Sequence, residues 1–133
     1  MYIRFYSGEI DAESQVSAGF FSAAYELLCA DALPDYEYDA LKELQYWFRD
    51  YLDSPFDHLP HSECYDRAVC WFKPTAHEHL ARAWEMVAIL ERNDIWIWTI
   101  KAPRVGYIQY EDEVQVLALP CKKTRWLLRG GRK

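Results

Sequence analysis

The chain has 133 residues, 51% of them hydrophobic, and a formal net charge of −6. That apolar content excludes a disordered body. No uncharged apolar run approaches the ~20 residues needed to cross a bilayer, and an acidic body repels nucleic acid. The charge is uneven. The last twelve residues, KKTRWLLRGGRK, hold six basic residues and no acid, which leaves nine basic against twenty-one acidic residues elsewhere. Asp31 to Asp66 alone carries ten acids against Lys42 and Arg49. The start, MYIRFYSGEIDAES, lacks the basic, apolar and small-residue pattern of a secretory leader, so a cytoplasmic location is expected. Cys29, Cys64, Cys70 and Cys121 are too scattered for a disulfide framework, and Cys29 and Cys70 fall at apparent core positions as free thiols.

Met1–Ser7 alternates as a strand that Ser7-Gly8 would end. Asp11 or Ser14 is expected to cap a first helix with Val16, Phe20, Ala23, Ala24, Leu27 and Leu28 on one face and Gly19 inside it. Asp31-Ala32-Leu33-Pro34 breaks the chain. Asp35 then caps a second helix to about Leu52, with Leu41, Leu44, Phe48 and Leu52 as its buried stripe, helped by Trp47 and Tyr51. Ser54–Arg67 is the longest irregular stretch. Ala68–Phe72 is apolar on both faces and suits a covered strand that Pro74 ends. Thr75-x-x-Glu78 matches a capping box, and Ala76, Leu80, Ala83, Trp84, Val87 and Leu90 continue as one helical stripe to Asn93-Asp94. Ile95–Ile100, Val105–Tyr110 and Val114–Leu119 read as three more strands, with Glu111-Asp112-Glu113 as a hairpin turn.

The order β-α-α-β-α-β-β-β predicts an α+β fold: a mixed, mainly antiparallel sheet of about five strands with three helices on one face. Residues 1–121 form the single domain and residues 122–133 a basic tail. Strand, helix and strand from Ala68 to Ile100 suit a parallel crossover, followed by antiparallel hairpins. The second sheet face, with Trp96, Trp98 and Tyr107, then needs cover, from curling of the sheet or from a homodimer.

Four sets of residues could carry function. His58-x-x-His61-x-x-Cys64, near Cys70, has zinc-ligand chemistry, but its spacing fits no strong motif and a polar loop is the plainer reading. His77 and His79 point about 200° apart around a helix, which disfavours joint ligation. Either one could serve a small nuclease or transferase as general base. Lys73 could hold an anionic substrate, although an edge-of-strand lysine is the plainer reading. No G-x-x-x-x-G-K-S/T, G-x-G-x-x-G or G-x-S-x-G occurs, and no cofactor is implied. The fourth set is the second helix. Asp35, Glu37, Asp39, Glu43, Asp50 and Asp53, interleaved with Tyr36 and Tyr38, offer carboxylates and phenols to Lys/Arg-rich surfaces.

Three stretches, DYEYDALKELQYWF, VCWFKPTAHEHL and VGYIQYEDEVQVLALP, resemble an uncharacterised family of small bacterial and mobile-element α+β proteins. Its pattern is WFK, a helix, then GY-x-x-YEDE-x-Q. This chain has Arg104-Val105-Gly106 where the family pattern has Pro-Gly. The resemblance implies a compact cytoplasmic protein and brings no catalytic residues with it. The reading favoured by the residues is a non-enzymatic acidic protein that binds a partner with a basic surface, as a phage- or plasmid-borne inhibitor would.

Overall fold

The computed structural model describes residues 1–10, 17–55, 68–122 and 124. Its elements are β1 (Tyr2–Ile10), β2 (Ser17–Gly19), α1 (Phe20–Cys29), α2 (Asp35–Tyr51), β3 (Val69–Phe72), α3 (His77–Arg92), β4 (Trp98–Ala102), β5 (Tyr107–Glu111) and β6 (Gln115–Leu119). The fold is α+β, and the expected element order is present with the short β2 added.

The pairing differs from a simple parallel crossover. Ile3 lies opposite Phe72 of β3 on one side and Lys101 of β4 on the other. The two partner strands therefore run in the same direction with antiparallel β1 between them. β6 pairs β3, β5 pairs β6, and every pairing is antiparallel. β4 joins β1 rather than a hairpin with β5, so only β5 and β6 form the expected hairpin. Tyr6 lies opposite both Trp98 and Gly19, which places β2 on the β3 side of β1. Strands β1 and β3 pair at Ile3 and Phe72, and β2 takes over the same edge of β1 from Tyr6.

This pairing explains the shifted N-terminal boundaries. β1 continues through Gly8 to Ile10 because β2 extends its ladder. Helix α1 then begins at Phe20, after an N-cap at Gly19 with φ −72° and ψ 160°. Gly19 therefore lies outside the helix rather than inside it, and Asp11 and Ser14, the expected caps, lie outside the described residues. Pro34, not Asp35, is the N-cap of α2; its carbonyl accepts the N–H groups of Glu37 and Tyr38. Asp35 stands in the first turn, where a negative charge suits the helix dipole. The capping box at Thr75 and Glu78 does not form, because Ala76 is the N-cap of α3 and takes no side-chain bond.

The helices cover one sheet face. Leu41, Leu44 and Phe48 of α2 and Met86, Val87 and Leu90 of α3 pack with Phe5, Phe20 and Phe72. Phe5, Phe20, Phe48 and Phe72 meet as tilted and edge-on ring pairs 5.2–6.4 Å apart. Tyr51, expected to help the α2 stripe, is exposed, and Trp84 of the α3 stripe is half exposed. The opposite sheet face buries a second cluster of Tyr6, Val69, Trp71, Ile100, Ala102, Val105, Val116 and Ala118. The aromatic alternation of β1 and β3 therefore serves two cores. Gly106, at φ 110°, makes the turn into β5. A Cβ there would lie 2.2 Å from the Leu119 carbonyl oxygen. Among the described residues, no helix is long and apolar enough to cross a membrane.

Candidate functional site

At about 100° per residue, Asp35, Asp39, Glu43 and Asp50 fall within an arc of about 80° on α2. The buried residues Leu41, Leu44 and Phe48 face nearly the opposite way. All four acids are exposed. They form a row about 22 Å long, with Asp35, Asp39 and Glu43 about 6 Å apart along the axis. Tyr36 is exposed beside them, and Tyr46 lies within the same arc.

The cations of α2 stand on one flank of this row. The ammonium of Lys42 lies 5.6 Å from the ring centroids of both Tyr38 and Tyr46, and the Arg49 guanidinium lies 4.5 Å from that of Tyr46. Arg49 also approaches Asp50 at 3.5 Å, with both side chains largely exposed. On the other flank a groove of about 510 Å³ runs between α2 and α3, with Trp47, Arg82, Glu85 and Arg92 in its walls. Arg82 stacks on Trp47 at 4.1 Å and bonds Glu78 at 3.2 Å. Arg92 bonds Glu37 at 2.8 Å. The flanking cations thus have partners within the chain, and the carboxylate row faces outward.

Glu37 and Asp53, expected in the same surface, do other work. Glu37 is only 6% exposed and accepts bonds from Arg92 and Asn93, clamping α2 to the end of α3. The Arg92 bond holds its carboxyl below the usual carboxylate range, against the opposing pull of burial. Its position was visible in the spacing: residues 37, 41, 44 and 48 make one i, i+4, i+7, i+11 stripe. Asp53 lies beyond the helix, and its carbonyl accepts Gln115 Nε2 at 2.6 Å.

The other candidates separate in space. His77 is exposed at the start of α3. His79 donates from Nε2 to the Tyr51 carbonyl at 2.7 Å and packs edge-on against Trp47. It therefore caps the end of α2, and the two histidines share no site. Lys73 pairs with Glu111, tying the end of β3 to the β5–β6 hairpin. Asp112, in the expected turn, accepts the N–H groups of Val114 and Gln115 at 2.8 and 2.9 Å. Burial raises its pKa, but these bonds and those from the Gln115 and Tyr110 side chains outweigh burial and hold it below its ordinary value.

Trp96 and Trp98 are exposed and lie 5.8 Å apart, edge to face. Tyr107 is also exposed but belongs to β5, at the opposite margin of the sheet from β4. The three therefore do not make one patch. His58, His61 and Cys64 lie outside the described residues. Among those described, no group of three His, Cys, Asp or Glu could hold a metal ion. Cys29 is exposed rather than buried, while burial pushes the Cys70 thiol up to about 11. Thr124, in the basic tail, is buried with its hydroxyl 3.1 Å from Cys121 Sγ, so the tail's start packs on the body.

One feature escaped the sequence. A cavity of about 560 Å³ opens where β1 and β3 part, with Arg4 and Trp71 in its lining. Arg4, a charge inside an aromatic strand, was its only visible trace. Comparison of the chain with family models, curated proteins and solved structures gave no match.

Proposed function

We propose that the chain is a non-enzymatic binding protein whose α2 face occupies a basic, nucleic-acid-binding groove of a protein partner. The observation that carries this is the row Asp35, Asp39, Glu43 and Asp50, exposed on the side of α2 away from the core. A line of single negative charges is what a Lys/Arg groove built for phosphates accepts. The exposed Tyr36 adds a rigid amphipathic contact of the kind enriched in interfaces. The resemblance to small proteins of bacteria and mobile elements favours a phage- or plasmid-borne inhibitor acting on a host complex in the cytoplasm. The test is affinity capture from bacterial lysate with the wild-type chain and with Asp35→Lys/Asp39→Lys/Glu43→Lys/Asp50→Lys. A partner held by the wild type, displaced by duplex DNA and lost by the variant supports the reading. Equal capture by both proteins refutes it.

A second reading rests on β4. Among the described residues no strand pairs its outer edge, and Trp96 and Trp98 stand exposed at its start. An antiparallel pairing of two β4 strands would give a homodimer with one continuous sheet. Sedimentation equilibrium separates the readings: a dimer dissociated by Trp96→Ser/Trp98→Ser supports the second, and a monomer at all concentrations excludes it.

A further inference from the structure

The loop from β4 to β5 is pinned at two points. Val105 is buried in the second cluster, on the sheet face away from the helices. Gly106 lies so close to the end of β6 that a Cβ would overlap the Leu119 carbonyl and the Cys121 amide. The loop, the start of β5 and the chain after β6 thereby gather around a groove of about 380 Å³. Tyr2, Pro103, Arg104, Tyr107, Ile108 and Cys121 stand in its walls.

This groove is the basic pole of an acidic chain. None of its lining residues is an acid. Residues 101–110 and 114–133 contain eight basic residues and no acid, which leaves seven basic against twenty-one acidic residues in the rest. Arg104, in the wall, and Lys122, directly after Cys121, are exposed. Neither side chain has an ion pair, hydrogen bond or ring contact among the described residues. The acidic row belongs to the helical layer on the other face of the sheet, and exposed charges more than about 8 Å apart are largely screened at physiological salt. Tyr107 is 66% exposed. A bare aromatic ring beside unpaired cations offers a face to a flat base and charge to a phosphate. A carboxylate-bearing peptide would use the charge but brings no base to stack.

We propose that this groove binds single-stranded nucleic acid without sequence preference. One base stacks on Tyr107, and the phosphates beside it lie against Arg104 and Lys122. The net charge of −6 opposes the approach of a polyanion, so the affinity is modest and falls steeply with salt. The groove is separate from the α2 row, so this site stands or falls independently of the partner proposed above.

The experiment is fluorescence anisotropy with a short labelled oligothymidylate and with an abasic oligomer of the same length, read between about 50 and 200 mM salt. Expected is saturable binding of oligothymidylate by the wild type, at least fivefold tighter than that of the abasic oligomer. Tyr107→Thr should lose that difference, binding both oligomers alike with the salt slope unchanged, since stacking releases no counterions. Arg104→Ala and Lys122→Ala should each reduce the slope of log affinity against log salt by about 0.7. The site is overturned if no saturable binding occurs at about 50 mM salt, or if Tyr107→Thr binds like the wild type, which would leave only general attraction to basic residues. It is equally overturned if polyglutamate competes as well as unlabelled oligothymidylate. Should Tyr107→Thr fail to fold, the comparison of the two oligomers on the wild type decides alone.

Discussion

Neutralising the outward acids of α2 should stabilise the protein. The informative variant is Asp39→Asn/Glu43→Gln/Asp50→Asn, which leaves Asp35 in the first turn, where the helix dipole favours it. Asp39 stands at i+4 from Asp35 and i−4 from Glu43, so its neutralisation relieves two like-charge pairs of about 0.2–0.5 kcal/mol each. Asp50 lies in the last turn, where a negative charge opposes the dipole by about 0.3–1 kcal/mol. Against these stands the exposed Arg49–Asp50 contact at 3.5 Å, a type of pair that contributes about 0–1 kcal/mol. The balance is a gain of about 1 kcal/mol at low salt, or roughly 3–5 °C in Tm for a chain of this length. It should shrink in 1 M salt, where the Debye length falls to about 3 Å. Thermal melts and urea titrations at both ionic strengths read the effect. A variant less stable than the wild type by more than about 0.5 kcal/mol would show that these acids hold the fold together, and the argument for an outward binding face would fail.

Three further outcomes follow from named contacts. Gly106→Ala should lose about 2–4 kcal/mol in urea unfolding, because the new Cβ overlaps the Leu119 carbonyl and φ is positive; a loss below about 1 kcal/mol contradicts the turn geometry. His79→Ala should cost about 1 kcal/mol, the bond to the Tyr51 carbonyl being lost. Stability should hold at neutral pH and fall below about pH 4.5, since Glu37 and Asp112 have lowered folded pKa values and the unfolded chain takes up protons first. Their contribution is present above the unfolded pKa and lost as pH falls through the folded one. Glu37→Gln should flatten part of that fall, and an unchanged pH profile would contradict the role of the Arg92 clamp.

The sequence carried the fold class well because its periodicities are strong. The 41-44-48 stripe of α2 and the spacing of Ala83, Val87 and Leu90 in α3 both reached the core. What it could not carry was long-range pairing. Nothing local in Ile95–Ile100 says that β4 lies against β1, since strand partners are set by the shape of the whole sheet. The start of α1 shifted for a related reason: the pairing of β2 with β1 places a strand immediately before the helix and gives the N-cap to Gly19. On the candidate face, charge alone misplaced Glu37, whose helical spacing already put it on the buried side. The cavity was illegible because it depends on two strands parting, a property of neither strand's own sequence.

If the acids on the outer side of α2 recognise a basic partner surface, neutralising them should release the partner. The most direct measurement is capture by the immobilised wild-type chain, set beside the same stably folded Asp39→Asn/Glu43→Gln/Asp50→Asn variant, with duplex DNA as competitor. The expected result is a partner whose retention by the variant drops at least tenfold and which DNA displaces from the wild type. A partner retained equally by both proteins, or untouched by DNA, would contradict it.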